Sequence, residues 1–173
     1  MKLISLFTSP VLLALAILWI IGGKTMEIEK QLNISASQDK VWKLLTDSEE
    51  IKKWNPEIIE DTPLTEETLQ KGAQSKLLMK EGSGQAEYLT EIIEVVTNEK
   101  LDMSLSGGPL GQSPMFISYI IKNNDNNSVA MTFKSSWKPK EFWLRVMSPL
   151  IKMMAQSNTD QSMSRLKELA EKN

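Results

Sequence analysis

The chain has 173 residues, enough for one domain with its own core, and its 20 basic residues against 22 acidic ones give a formal net charge of −2. This balance offers no basic excess to a nucleic-acid backbone, which argues against nucleic acid as a partner. The lack of cysteine and histidine excludes disulfides, thiolate nucleophiles, Ser-His triads and metal sites built from these residues. We expect neither a metal nor another cofactor, and any catalysis would have to use carboxylates, tyrosine, lysine or amides.

The N-terminal segment Leu3–Gly23 is almost wholly apolar and lies between two lysines. About 21 apolar residues match the ~30 Å hydrocarbon core of a bilayer. This pattern predicts one transmembrane helix, an anchor over residues 1–25 followed by a domain over residues 26–173. The expected localisation is a single-pass membrane protein whose orientation the flanking charges leave open.

A cleaved signal peptide is the alternative interpretation of this segment. Ala14-Leu15-Ala16 has the form of a small-x-small cleavage site. Cleavage there would leave several large apolar residues at the new N-terminus, so an uncleaved anchor is favoured.

The body begins with a strand and two short helices. Met26–Ile34 alternates apolar and polar residues, which is typical of a half-buried strand. Ser37 can cap a short helix whose apolar side chains begin at Val41. Asp47, with a glutamate three residues on, resembles a capping box and predicts a second helix over Ser48–Trp54.

The middle of the chain has the pattern of consecutive antiparallel strands separated by turns rich in Gly, Asn and Pro. The predicted strand segments are Ile58-Ile59, Gly72–Lys80, Gln85–Thr97, Leu101–Ser106, Met115–Lys122 and Ser128–Trp137.

A long helix is predicted at the C-terminus. Ser148 suits an N-cap and Pro149 the first helical position, where its missing N–H costs nothing. Continued to Glu171, the helix would be roughly 34 Å long. Both of its ends are apolar, whereas residues 156–162 contain no apolar side chain.

The polar centre of this helix can be assigned to faces, since side-chain directions advance by about 100° per residue. The apolar side chains at the two ends of the helix point in different directions, so the buried face rotates along it. In the polar centre, the direction midway between these two contains Asn158 and Ser162, with Gln161 beside them. We therefore expect these three side chains to face the interior. Asp160 is expected to face water. The alternative is a solvated patch where the helix passes the edge of the sheet.

Two stretches carry a resemblance to a known family. Asn33–Asp47, followed by Lys53–Pro56, resembles the opening of the START-like superfamily (SRPBCC), which includes Bet v 1, polyketide cyclases and lipid-transfer domains. Met163–Glu171 is similar to its C-terminal helix. The resemblance implies an α+β helix-grip fold, a curved antiparallel sheet around the long C-terminal helix, with a cavity between them for an apolar molecule.

The candidate ligand-binding residues come from the central strands and this helix. Methionine adapts to varied apolar surfaces, and Tyr88 and Tyr119 need polar partners if they are buried, so they could orient a ligand. The alternative for each is an ordinary core position. The candidates are Met79, Tyr88, Met103, Met115, Tyr119, Met131, Phe133, Met154, Asn158, Gln161 and Ser162.

Three functions stay open, because family members range from lipid carriers to cyclases and chaperone activators. The favoured one is membrane-tethered binding or transfer of a small hydrophobic or lipid-like ligand. A polyketide cyclase- or hydratase-like enzyme would use Tyr88, Tyr119, Asn158 or Gln161 to orient a substrate. A chaperone-activator-like module would instead have a filled core and an exposed apolar patch. No recognisable catalytic set is present, since Glu87, Glu91 and Glu94 are expected to point outward.

Overall fold

A computed structural model describes residues 10–111, 113–124 and 127–172. Its elements in chain order are α1 (Pro10–Gly22), β1 (Met26–Ile34), α2 (Gln38–Thr46), α3 (Ser48–Trp54), β2 (Ile58–Pro63), β3 (Gln74–Glu81), β4 (Gly84–Val96), β5 (Lys100–Gly107), a 3-10 turn (Gly108–Leu110), β6 (Met115–Asn124), β7 (Ser128–Trp137) and α4 (Phe142–Glu171).

The strands form one antiparallel sheet of seven strands in the order β1-β7-β6-β5-β4-β3-β2. The first strand pairs with the last, from Met26 opposite Trp137 to Ile34 opposite Val129. The intervening strands follow one another as hairpins, so β2 becomes the far edge. With α4 and the two short helices after β1, this is the α+β helix-grip fold that the sequence predicted.

Cap chemistry sets the bounds of the two short helices as predicted. The Ser37 hydroxyl accepts a hydrogen bond from the Lys40 amide at 3.3 Å and begins α2. The Asp47 carboxylate accepts from the amides of Glu49 and Glu50, at 2.9 and 3.2 Å, and begins α3. These bonds satisfy amides that a helix start otherwise leaves unpaired.

The buried side chains form two clusters. The first core cluster joins the sheet to α2, α3 and the C-terminal part of α4; among its members are Ile34, Val41, Trp54, Leu101, Ile121, Met131 and Leu166. The second core cluster lies toward the other end of the sheet and consists of Leu77, Tyr88, Leu110 and Trp137, with half-buried neighbours including Leu144 and Ile151.

The long helix α4 begins six residues before the predicted cap, so the predicted start at Ser148 is wrong. Its N-cap is Glu141, and Pro149 lies inside the helix. Proline has no N–H to donate to the carbonyl four residues earlier, that of Arg145. The Ser148 hydroxyl donates to that carbonyl instead, at 2.8 Å, so the helix continues through the proline.

The predicted transmembrane helix over Leu3–Gly23 is also wrong, and with it the anchor and the single-pass membrane localisation. Helix α1 has 13 residues, about 20 Å, which is short of a ~30 Å hydrocarbon core. Among the described residues no helix is both long and apolar enough to cross a membrane. Residues 3–9 of the predicted span lie outside the described residues.

Helix α1 packs against the beginning of α4. The Arg145 guanidinium lies 5.2 Å from the centre of the Trp19 ring, a cation–π contact. Gly22 approaches α4 so closely that an added Cβ would lie 1.8 Å from the Arg145 carbonyl oxygen. Only glycine therefore allows the two helices to meet in this way.

Candidate functional site

A cavity of about 420 Å³ lies on the concave face of the sheet, between the two core clusters. Strands β2 to β6 form one wall, and α3, the end of α2 and the segment before β3 form the other. Since interiors normally leave few voids larger than a water molecule, a space of this size is a feature of the fold rather than a packing defect.

The cavity wall is mainly apolar because alternate residues of each strand face inward. On β5, Leu101, Met103 and Leu105 face the cavity while Asp102 and Ser104 between them face outward. The apolar lining residues are Leu45, Ile51, Trp54, Ile58, Pro63, Leu69, Ala73, Leu77, Met79, Ile92, Leu101, Met103, Leu105 and Ile117.

Tyr119 on β6 provides an isolated polar group in this wall. Its side chain is 9 % exposed and lines the cavity, and its ring packs on Phe133 with the ring centres 5.3 Å apart. None of the described residues forms a hydrogen bond with its hydroxyl. Burial raises the pKa of the Tyr119 hydroxyl, so it stays protonated at neutral pH and can donate a hydrogen bond into the cavity.

A polar group of residues lies where α3 meets the edge strand β2. The Ser48 hydroxyl donates to Asp61 Oδ2 at 2.9 Å. The other oxygen of that carboxylate, Oδ1, and the Asn55 side-chain oxygen are both buried, and neither has a hydrogen-bond partner among the described residues. All three residues line the cavity, as does Asp47. Buried acceptors without partners are uncommon.

A second polar pair lies across β3 and β4. The hydroxyls of Ser75 and Thr90 are 2.7 Å apart and share a hydrogen bond. Because each hydroxyl already has a partner, this pair adds polarity to the wall without leaving an orphaned group.

The structure brings three of the eleven predicted ligand-binding residues together at the cavity: Met79, Met103 and Tyr119. Met131 and Phe133 are buried in the first core cluster and Tyr88 in the second, where Met115 packs against it. The four helix residues Met154, Asn158, Gln161 and Ser162 do not line the cavity. The ligand-binding role of each of the eleven residues stays a prediction.

The four candidate residues on α4 do not lie in the interior position that the sequence predicted. Met154, Asn158 and Gln161 are exposed and Ser162 is half-buried, because the polar centre of α4 passes the edge of the sheet. Asp160 faces water as expected, and its carboxylate lies 2.6 Å from the Lys30 ammonium.

A separate polar cluster joins the middle of α4 to the edge of the sheet. Asn158 donates to Glu57 Oε1 at 3.1 Å, and the Tyr88 hydroxyl donates to Glu81. Partial burial, and then the nearby Glu81 charge, raise the pKa of the Glu57 carboxyl, while Arg165 acts in the opposite direction. None of these five residues lines the cavity, so this cluster connects elements rather than contacting a ligand there.

The polar residues at the cavity edge, Ser48, Asn55 and Asp61, were not predicted as site residues. In the sequence, residues 48–56 show only the signature of a short capped helix. The cavity position of Asp61 depends on β2 folding over as the edge strand. The orphaned oxygens could not have been found from sequence, since they depend on long-range packing.

Among the described residues no group of three or more His, Cys, Asp or Glu side chains could hold a metal ion.

Comparisons with known proteins agree with this architecture. A family model described as polyketide cyclase / dehydrase and lipid transport matches residues 25–171. No curated protein matches the chain. Several solved structures share the fold.

A START superfamily protein from Mycobacterium smegmatis is 18% identical, with a TM-score of 0.70 over 84% of this chain and 97% of that chain. The Zhui aromatase/cyclase from a Streptomyces species is 13% identical, with a TM-score of 0.70 over 86% and 94% of the two chains. Truncated norcoclaurine synthase from Thalictrum flavum is 15% identical, with a TM-score of 0.63 over 87% and 96%. At these identities the likeness shows the fold alone.

Proposed function

Because the chain belongs to the polyketide cyclase/dehydrase and lipid transport family, we propose that it binds a small apolar or lipid-like molecule inside its cavity. The proposal rests on one observation, the cavity of about 420 Å³ with a mainly apolar wall. Sites for small organic ligands span roughly 300–1,000 Å³ and combine such walls with a few polar groups.

Enclosure would supply most of the binding free energy. Each square ångström of apolar ligand surface removed from water contributes about 25 cal/mol, so a ligand held between β3, β4 and α3 gains in proportion to its apolar area. The protonated Tyr119 hydroxyl then offers a donor to an acceptor atom on that ligand.

A cyclase- or hydratase-like enzyme is the second candidate, and Tyr119 is the observation that favours it. A neutral tyrosine can polarise a carbonyl by hydrogen bonding. Its raised pKa makes it a donor and not a base at neutral pH, so any proton abstraction would need another group. Ligand turnover by the wild-type chain, lost in Tyr119→Phe, would support this candidate over simple binding.

The third candidate, a protein-interaction module, predicts a filled core. A cavity of about 420 Å³ does not fit that expectation, so we do not propose it.

Filling the cavity tests the proposal. Ala73 is buried and lines the cavity, so Ala73→Phe places a ring inside it. Binding of the neutral dye Nile red to the full chain, followed by fluorescence, should weaken by at least about tenfold, since each 1.4 kcal/mol of lost contact is tenfold.

The matched control is Ala130→Phe, which adds the same ring on β7 away from the cavity and should leave dye binding unchanged. After the purified chain has been exposed to membranes, native mass spectrometry should also show that it has extracted and bound an apolar molecule. If the folded wild-type chain binds neither the dye nor any extracted molecule, the proposal fails.

A further inference from the structure

We propose that two copies of this chain form a dimer through residues 142–156, the first half of α4, with the two helices packed antiparallel along a row of exposed apolar side chains. We call this row the exposed stripe, and it consists of Trp143, Met147, Leu150 and Met154. The inference goes beyond the proposed function and does not depend on the cavity, since none of these four residues lines it.

The exposed stripe has the spacing of a coiled-coil seam. Its members follow one another at intervals of four, three and four residues. Such a 3.5-residue repeat keeps apolar side chains facing a partner helix. All four side chains are nevertheless between 44 % and 67 % exposed. No described element of the chain therefore covers the seam.

The contacts of this half of α4 with the rest of the chain lie on other sides of the helix. Helix α1 meets α4 at Arg145 and Ser148. At 100° per residue these two positions point at least about 130° away from the centre of the stripe. Leu144 and Ile151 pack toward the second core cluster on a third side. The exposed stripe is thus left for a second molecule.

The charges of this half favour a second copy over an ionic partner. The stripe contains no charged residue, and Arg145 and Lys152 lie on roughly the opposite side of the helix. Two copies can therefore approach face to face without opposing like charges, whereas an acidic partner would find no counter-charge on the stripe. The positions that flank the stripe are apolar as well: Leu144, Val146, Ile151 and Met153.

The spacing of the stripe is the same when it is read in either direction. A twofold axis between positions 147 and 150, perpendicular to the helix, therefore maps the stripe onto itself. It brings Trp143 of one copy against Met154 of the other, and Met147 against Leu150. A contact of this kind uses the same surface on both copies and closes at two chains.

The apolar area is sufficient for a weak dimer. Phe142 and Met153 are also exposed and enlarge the stripe to six side chains. At roughly 200 Å² for a fully exposed side chain of this size, their exposed fractions amount to roughly 650 Å², above the ~300–600 Å² of the largest patch on a typical monomer. Two copies would bury roughly 1,300 Å², near the lower end of the range for stable interfaces. We therefore expect a Kd in roughly the micromolar range.

Sedimentation velocity of the full chain tests the dimer. We expect the mass of two chains at about 100 µM and of one chain below about 0.1 µM. Leu150→Glu puts a carboxylate at the centre of the seam on both copies and should weaken the dimer at least about tenfold, as should Met147→Lys. Gln156→Glu adds a carboxylate at an exposed position of α4 outside the stripe and should leave the dimer unchanged.

An equal mixture of the two charged variants tests the antiparallel pairing. In a mixed dimer the carboxylate introduced at position 150 of one copy meets the ammonium introduced at position 147 of the other. The mixture should therefore dimerise at least about tenfold more tightly than either variant alone. Both substitutions lie at exposed positions, and urea denaturation confirms that each variant is folded.

A wild-type chain that stays monomeric at about 100 µM, or that associates into particles of varied mass, would overturn the proposal. A dimer that neither charged variant weakens would place the contact elsewhere and overturn it too. A mixture no tighter than its components would overturn the antiparallel pairing. None of these results changes dye binding in the cavity, so the proposed function stands or fails separately.

Discussion

The two halves of α4 contain similar apolar side chains, but the fold covers them differently. In the second half, residues 157–171, Met163 and Leu166 are 4 % and 0 % exposed and belong to the first core cluster. In the first half, residues 142–156, Trp143 and Met153 are 67 % and 61 % exposed. Apolar composition alone therefore does not determine which part of a helix is buried.

The difference lies in the partners of each half. The second half packs against residues of α2, α3 and the sheet, which cover its apolar face. The first half has α1 on one side, held by Gly22 and Trp19, and apolar side chains remain exposed beside that contact. The second half is thus part of the core, whereas the first half is a partly covered surface.

The largest expected effect comes from truncating one leucine in each half. Leu166→Ala removes a fully buried side chain and should lower the free energy of unfolding by about 3 to 5 kcal/mol. Leu150→Ala, at a position 44 % exposed, should cost less than about 1 kcal/mol. Urea denaturation of both variants measures the difference. Equal losses would show that the two halves are equally part of the core.

Adding a single atom, the Cβ of an alanine at residue 22, should disrupt the contact between α1 and the first half of α4. Gly22→Ala places a Cβ 1.8 Å from the Arg145 carbonyl oxygen, so the helices must separate. We expect a loss of about 1 to 3 kcal/mol, more than the ~1 kcal/mol that alanine gains over glycine in a helix. Faster hydrogen exchange of the α1 amides would report the separation.

Gly23→Ala is the control for that variant, because its Cβ would have no neighbour closer than 3.6 Å. It should leave both stability and exchange of α1 nearly unchanged. If the two variants behave alike, close packing at Gly22 is not what holds α1 on α4.

The continuity of the first half of α4 through Pro149 depends on Ser148. Ser148→Ala removes the hydroxyl that donates to the Arg145 carbonyl, which Pro149 cannot do, and should cost about 1 to 2 kcal/mol. Ser164→Ala, on the exposed face of the second half, should cost less than about 0.5 kcal/mol. Thermal unfolding compares them, and equal costs would contradict this role of Ser148.

The smallest expected effect lies at the start of the second half, where Asn158 donates to Glu57. A carboxyl whose pKa is raised from 4.5 in the folded state is penalised once ionised, so its contribution to stability is lost as pH rises through that raised value. Glu57→Gln keeps the acceptor without the charge. At pH 7 we expect a gain of less than about 0.5 kcal/mol after solvent screening, vanishing below about pH 4. A gain that persists at pH 3 would contradict this origin.

Local signals explain why most of the fold was predictable. Alternation along β1 and cap residues such as Ser37 and Asp47 act over a few neighbouring residues, and the observed bounds of β1, α2 and α3 agree with them. The start of α4 was not predictable by the same rule. Ser148-Pro149 is a favourable helix start locally, but the Ser148 hydroxyl lets the helix pass through it.

The candidate site was predictable only where strand periodicity defines a face. Met103 lies between Asp102 and Ser104 on β5, and Tyr119 follows Ser118 on β6; both line the cavity. Asn55 and Asp61 line it because the edge strand β2 and α3 close over the sheet, a long-range arrangement. The wheel argument placed Asn158 inside, but its side chain is exposed and donates to Glu57, which agrees with the alternative of a solvated patch.

The segment of residues 64–73 has a consequence for ligand kinetics. It forms part of the cavity wall, yet it is joined to the sheet by few backbone hydrogen bonds, among them Leu64 to Gln74 at 2.9 Å and Gly72 to Ile92 at 2.7 Å. Local opening of such a segment leaves the strand pairs and α4 intact, and local unfolding of this kind takes roughly microseconds to seconds. The ligand that we propose for this cavity could therefore exchange through this segment without global unfolding, so its residence time and the stability of the protein can vary independently.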